Sequence, residues 1–403
     1  MDTPVRDDPA AAEATLDLRD PYPFFAAHRR AGGVYHGTVM DYSHTPDAFR
    51  PKDSWSALSY SAASAALRDE RTFSSKLYDS TIGVFMGPTI LAMHGSQHRA
   101  HRNLVAAAFK SQSLQTWEPQ IVRPICHQLI DEFAERGSAD LVREFTFEFP
   151  TRVIARLLGL PEDDLPFFRK HAVEIISYAG NPQRAFEAST ALRDYFQGHI
   201  DRRRSKPTDD IIGDLVAAEI EGEKLTDEAI YSFLRLLLPA GLETTYRSSG
   251  NLLYLLLTHL DQFEALQHDR GLIAPAIEEG LRYETPLTLV QRTVTADAEL
   301  EGVAIPRGAV LDICLGSANR DEQRWERPEE FDIFRKRLPH LSFTTGAHTC
   351  LGLHLARMET RVAMESLLDR VTGITLRTEE DPHIWGQPFR SPTALPVTFE
   401  PVP

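Results

Sequence analysis

The chain has 403 residues, 42% of them hydrophobic, and a net charge of −15. That is enough apolar material for a large buried core, and the acidic balance excludes a general affinity for nucleic acid. Three cysteines, Cys126, Cys314 and Cys350, stand far apart and odd in number, which excludes a disulfide framework and fits a reducing compartment.

Residues 1–20 are acidic and Ala-rich with no apolar signal-peptide core. They are expected to form a flexible segment, with 21–403 a single domain. The first strand candidate is 55–60, followed by a short helix at 61–69. Residues 76–95 mix Gly, Pro, Met and Phe without a period, which predicts a long structured loop. From His98 onward helical periodicity dominates, at 99–109, 118–135, 150–158, 165–178, 184–203, 211–220, 227–260 and 273–283. Thr226-Asp227-Glu228 reads as an N-cap with an acidic first turn. Strand-like runs return over 286–315 around a turn at Ile305-Pro306-Arg307-Gly308. Residues 320–350 look irregular, 351–368 helical, and 384–401 carry short strands. The most apolar run, 236–257, is interrupted by Pro239, Glu243, Arg247 and Asn251, so it is no membrane span. These features predict a mostly α fold with a small β region, and a cytoplasmic protein without membrane or nucleic-acid partners.

One stretch carries most of the chemistry: Phe343-Thr344-Thr345-Gly346-Ala347-His348-Thr349-Cys350-Leu351-Gly352, the pattern FxxGxHxCxG. A cysteine between two glycines, ahead of a helical run, is what a haem iron needs from a thiolate ligand. The sulfur projects from a tight loop, and Gly346 and Gly352 allow approaches that a Cβ blocks. The helix start favours the anionic sulfur. A buried, inert thiol is the competing reading.

A second segment, Pro239-Ala240-Gly241-Leu242-Glu243-Thr244-Thr245, lies inside the long helix that starts at Asp227. Glu and Thr within so apolar a helix are costly unless paired or facing a cavity. Pro239 removes one helical hydrogen bond and kinks the chain. Gly241 would let a planar ligand approach, and a threonine hydroxyl can bond back to the helix. The alternative is a kinked core helix whose Glu reaches a salt bridge. Two further spacings put side chains on one helix face: Glu279 with Arg282, and His98 with Arg102. His101 between the latter pair reads as solvated.

Together these segments resemble, in order and over nearly the whole chain after residue 20, the cytochrome P-450 family of haem-thiolate monooxygenases of the soluble bacterial type. The resemblance implies the family's single-domain fold and heme b (iron protoporphyrin IX) with Cys350 as axial ligand. It places Ala240, Gly241, Phe343, Gly346 and Gly352 against the cofactor. His98, Arg102, Arg292 and His348 would hold the propionates. Glu243 and Thr244 would manage protons for oxygen activation. Glu279, Arg282 and Arg335 would form a buried structural triad, with Arg335 drawn from Phe331-Asp332-Ile333-Phe334-Arg335. Phe85, Met86, Ile90, Leu91, Leu237, Leu287, Leu289, Val290 and Phe389 would wall the substrate pocket.

The implied reaction inserts one oxygen atom from O₂ into a hydrophobic small molecule: a terpenoid, steroid, fatty acyl chain or aromatic. Electrons would come to a monomer from a ferredoxin and its NAD(P)H-dependent reductase, docked near Lys110, Lys336 and Arg337. An H₂O₂-driven peroxygenase and a non-catalytic haem-binding sensor are the rival classes. The peroxygenase relatives replace the acid–alcohol pair, and a sensor needs no proton delivery. Two departures from the family's pattern stand out: Pro239 before the acid–alcohol motif, and Thr344 where a glycine is usual.

Overall fold

The computed structural model describes residues 16–402 apart from 43–46, 48–49, 107–108, 110 and 179. Helix α1 (Tyr22–Gly32) and strands β1 (Val34–His36) and β2 (Ser54–Ala57) come first, then α2 (Tyr60–Arg68), β3 (Phe73–Ser74) and α3 (Gly95–Ala106). Among the helices that follow are α4 (Glu148–Leu157), α5 (Leu165–Ile176), α6 (Pro182–Ser205), α7 (Asp227–Thr258) and α8 (Ile273–Tyr283). Strands β4 (Val290–Val294) and β5 (Val310–Ile313), helix α9 (Leu353–Arg370) and a hairpin of β6 (Ile384–Trp385) and β7 (Ser391–Pro392) complete the frame. The fold is mostly α with a minor β region, as the periodicities predict.

The main sheet runs β1-β2-β5-β4-β3. All its pairs are antiparallel except β2 with β5. Register sets Gln291 opposite Asp312 and Arg292 opposite Leu311. Neighbouring residues of a strand point to opposite faces, so Arg292 emerges on the side away from the Gln291–Asp312 pair. A large helical core and a smaller cluster under the sheet hold the two parts together.

Helix α7 starts where its cap predicts: Thr226 Oγ1 accepts from the Ala229 amide at 3.2 Å, and Asp227 and Glu228 fill the first turn. The helix continues through Pro239, where the missing N–H leaves the Arg235 carbonyl without its helical donor. A Cβ on Gly280 of α8 would lie 3.2 Å from Leu252 Cδ1 of α7. That glycine lets the two helices approach.

Several expectations shift. The helix expected over 227–260 ends at Thr258, and a new one runs Leu260–His268. The helix expected over 211–220 stops at Ala217, because Glu221 and Gly222 take φ of 55° and 84°. Two positive φ angles close a tight hairpin between Glu219–Ile220 and Glu223–Lys224. Residues 76–95 hold two single-turn helices, Leu77–Ser80 and Gly83–Met86. Helix α1 and the strands Ser138–Asp140 and Val371–Leu376 were not anticipated. The first fifteen residues of the expected flexible segment lie outside the described residues. Its end is tied down: the Leu18 and Arg19 carbonyls accept from Arg390 at 2.7 and 3.1 Å. Among the described residues no helix is long and apolar enough to cross a membrane.

Candidate functional site

Cys350 sits in a loop that closes on itself. Its amide donates to the Phe343 carbonyl at 2.9 Å, and the Thr349 hydroxyl donates to the Gly346 carbonyl at 2.8 Å. Arg102 donates to the Thr349 carbonyl at 2.5 Å. Gly346 takes φ +79°, and a Cβ there would lie 2.6 Å from the Leu67 carbonyl oxygen. The loop can rest on α2 only because this position lacks a side chain. Gly352 differs from expectation: its φ is −85° and a Cβ would meet nothing. Its contribution is an amide that donates to the Cys350 sulfur. Thr344 takes φ +57°, the left-handed region costly for a branched residue. Its hydroxyl donates to the His348 carbonyl at 2.9 Å. The departure from glycine therefore ties the two limbs of the loop together.

Cys350 is exposed, whereas Cys126 and Cys314 are buried. Although the residue reaches solvent, the protein packed around its sulfur desolvates it and raises the Cys350 thiol; the Gly352 amide, Arg102 and Arg357 pull the other way. Ligation to a metal removes the proton outright. Burial holds both other thiols far above their usual range.

Four basic side chains converge beside this loop. His98 and Arg102 come from successive turns of α3, Arg292 from β4 and His348 from the loop. The His98 and His348 rings are 4.2 Å apart. Burial, with Arg292, His98 and Arg102 behind it, lowers His348 to about 3. His98 is buried and its Nε2 has no partner. A buried orphan among like charges calls for anions, and the two propionates of a haem fit that cradle. Glu70 and Ser75 also reach His348, at 4.0 and 3.3 Å, a contact no local pattern announced. His101 stands apart, its Nδ1 on the Gln97 carbonyl.

On α7 one stripe is open within a largely buried helix. Ala240 is exposed, and Leu237, Thr244 and Ser248 are partly so. Steps of three and four residues put them on one face. Ser248 shares a small cavity with Phe343 of the cysteine loop, which turns that face toward the loop. Thr244 Oγ1 donates to the Ala240 carbonyl at 2.9 Å, the back-bond its position predicts. Glu243 is buried on the neighbouring face and accepts from Arg247 Nε and Nη2, both at 2.9 Å. The salt bridge considered as an alternative is thus present, one residue from the alcohol. Gly241 does not carry the expected ligand approach: a Cβ there would lie 2.7 Å from Ile154 Cδ1 of α4. Its bareness serves helix packing, and Ala240 is the small residue on the open stripe. Thr245 hydrogen-bonds Glu359 of α9, which burial raises to about 8.

Glu279, Arg282 and Arg335 come together. Arg282 donates to Glu279 through Nη2 at 2.7 Å and Nε at 2.8 Å, and Arg335 Nε reaches the same carboxylate at 3.2 Å. Arg335 also donates to the carbonyls of Glu326, Arg327 and Glu330. The triad therefore pins the irregular segment before the cysteine loop.

The expected pocket walls divide. Phe85 is buried against the Tyr178 and Phe186 rings, 5.3 and 4.7 Å away. Met86 belongs to the helical core, and Leu289 packs with Tyr22 and Phe25. Ile90, Leu91, Leu237, Leu287, Val290 and Phe389 keep partly exposed surface, and Leu287 pairs with Phe389 in an isolated bridge. Lys336 and Arg337 are exposed. Beside them Phe334 is 60% exposed. Lys110 lies outside the described residues.

The family model described as "Cytochrome P450" matches residues 173–388, just over half the chain. The "Biotin biosynthesis cytochrome P450" of Bacillus subtilis (strain 168) is 31% identical over 95% of this chain and 97% of its own length. The "Cytochrome P450 monooxygenase PikC" of Streptomyces venezuelae is 32% identical, covering 94% and 91%. Among solved structures, the bacillaene polyketide synthase cytochrome P450 PksS of Bacillus subtilis 168 superposes with a TM-score of 0.87 at 31% identity, covering 95% and 97%. P450BioI in complex with acyl carrier protein ligated to hexadec-9Z-enoic acid gives 0.85 at 30%, covering 95% and 99%. The cysteine loop, the cationic cradle and the alcohol-bearing stripe thus stand in a chain that belongs to the cytochrome P450 family of haem-thiolate monooxygenases.

Proposed function

We propose that this protein binds heme b through Cys350 and hydroxylates a hydrophobic small molecule, using O₂ and electrons from a ferredoxin-type partner. The observation that carries the reading is Thr244 on the open stripe of α7 that faces the cysteine loop, beside the buried Glu243 carboxylate. A haem with a thiolate ligand supplies oxygen activation when bound; the protein supplies ligand, orientation and protons. His98, Arg102, Arg292 and His348 would hold the propionates, Ala240 is the small residue on the open stripe, Phe343 and Gly346 shape the cysteine loop, and Thr344 ties that loop's limbs together. Thr244 Oγ1, bonded to the Ala240 carbonyl, offers one hydroxyl able to accept and pass on a proton. Glu243 supplies the carboxylate from the neighbouring face.

The partly exposed walls are apolar, which supports an uncharged hydrophobic body for the substrate: terpenoid, steroid, fatty acyl or aromatic. The printed names of relatives, in biotin and polyketide biosynthesis, and a neighbour's complex with an acyl-loaded carrier protein favour the acyl members of that set. Lys336 and Arg337 would steer an acidic ferredoxin, itself served by an NAD(P)H-dependent reductase, against the chain's negative background. Residues 21–403 are read as one catalytic domain acting as a monomer in the cytoplasm. The retained Glu243–Thr244 pair speaks against the H₂O₂-driven class.

The test is Thr244→Ala in the holoenzyme. It should bind haem and substrate normally, yet divert electrons to peroxide and lose product by about 10²–10⁴-fold, the span of positioned proton transfer. Unchanged coupling of reductant to product would remove Thr244 from the mechanism.

A further inference from the structure

Helix α7 presents two functional faces. Thr244 belongs to the open stripe, while Glu243, Tyr246 and Arg247 line a cleft of about 630 Å³ on the neighbouring face, which shares Phe389 with the expected substrate walls. The cleft is closed by the start of α4, the end of α5 and the β6–β7 hairpin. Its volume lies in the range of small-molecule sites, about 300–1,000 Å³. Four aromatic rings line it: Phe147, Tyr246, Trp385 and Phe389. Phe147 and Tyr246 meet edge to face, with centroids 5.1 Å apart. Trp385 is 49% exposed, so its ring is open to a ligand in the cleft.

The charged lining is three arginines against two glutamates. Both glutamates are engaged: Glu148 with Arg169, and Glu243 with Arg247. Arg247 is held further by Ser391 Oγ at 3.0 Å. Arg143 is the surplus cation. Its side chain is 75% exposed, and its contact with Asp140 is 3.3 Å. The other oxygen of Asp140 is shared among the amides of Val142, Arg143 and Leu395. An exposed pair of that kind is worth about 0–1 kcal/mol, so a ligand carboxylate can take its place.

We propose that this cleft, on the Glu243 face of α7 and not the Thr244 face, is a second ligand site that takes a small aromatic carboxylate. The ring would lie against Trp385 and Tyr246, and the carboxylate would pair with Arg143 in the bidentate geometry that guanidinium favours.

The test is calorimetric titration of the holoenzyme, its iron saturated with imidazole so that no probe can reach the metal. The probes are 2-naphthoate and the neutral 2-naphthylmethanol. Naphthoate should bind at least about tenfold more tightly than the alcohol, the effect of one charge-assisted hydrogen bond. Arg143→Ala should remove that preference, and Trp385→Ala should weaken both probes. Both side chains are exposed, and an unchanged ferrous–CO spectrum would confirm that the variants fold. Naphthoate heat that vanishes with imidazole on the iron, equal affinity for the two probes, or an Arg143→Ala protein that keeps the preference would each overturn the proposal.

Discussion

Glu359 makes the stability of this protein fall as pH rises. Its carboxyl is buried on α9, one oxygen has no partner, and the other meets the Thr245 hydroxyl. Cys126, also buried nearby, adds no positive charge. Burial therefore holds Glu359 protonated up to about 8, against 4.5 for the free side chain. The raised value belongs to an acid, so the unfolded chain releases its proton first. Stability is whole below pH 4.5, declines as pH climbs toward 8, and levels off beyond. Between pH 5.5 and 7.5 the loss is at most about 3 kcal/mol, from two pH steps at about 1.4 kcal/mol each. The unfolding entropy of a chain this long is about 0.8 kcal/mol per kelvin, which converts the loss to about 3 °C. Glu359→Gln keeps the shape and removes the titration. Differential scanning calorimetry of both holoproteins should show Gln gaining about 3 °C on Glu between those pH values. A difference in Tm that is the same at both would refute a buried neutral carboxyl.

Three further outcomes are expected. Cys350→Ala should lose the red-shifted ferrous–CO Soret band of thiolate ligation, while Cys126→Ser and Cys314→Ser, wherever they fold, should keep it; a persistent band in Cys350→Ala would reassign the ligand. Glu279→Ala leaves the buried Arg282 and the half-buried Arg335 without their carboxylate and should cost about 3–5 kcal/mol in urea unfolding, with a loss under 1 kcal/mol counting against the triad. Reversing Lys336 and Arg337 to Glu should slow reduction by ferredoxin but not by dithionite, and wild-type reduction by ferredoxin should fall with salt, since screening shortens to about 10 Å at 0.1 M; equal rates in both proteins at low salt would move the docking face elsewhere.

What was legible in the sequence follows from how local each constraint is. The cysteine loop could be read because Gly346, His348 and Cys350 act within ten residues, and its backbone needs are chemical. Glu279 and Arg282 pair across one helical turn, so their spacing shows; Arg335, fifty-three residues after Arg282, needed the family resemblance. The two faces of α7 were hidden. Adjacent residues differ by about 100° around a helix, so Glu243 and Thr244 can read as one site and still face different spaces. Arg247, four residues after Glu243, is an acid–base spacing that marks the salt bridge on the second face. Glu359 sits among Arg357, Thr360 and Arg361 and resembles a solvated position. Only the packing of α9 against α7 makes it a core residue. The hairpin at Glu221-Gly222 carried a glycine signal that the helical run before it masked.

Arg335 also has a mechanical consequence. Its guanidinium reaches inward to Glu279, while Phe334 and Lys336 on either side face solvent. The surface proposed for a donor protein is thus riveted to the interior, by Arg335 and by the buried Phe331 and Ile333 before it. Distance controls electron tunnelling steeply, so a donor that lands here meets a footing that does not drift relative to the cysteine loop. The same rivet carries load the other way: a partner seated on this segment would resist its peeling, and complex formation should slow the first step of unfolding as well as deliver electrons.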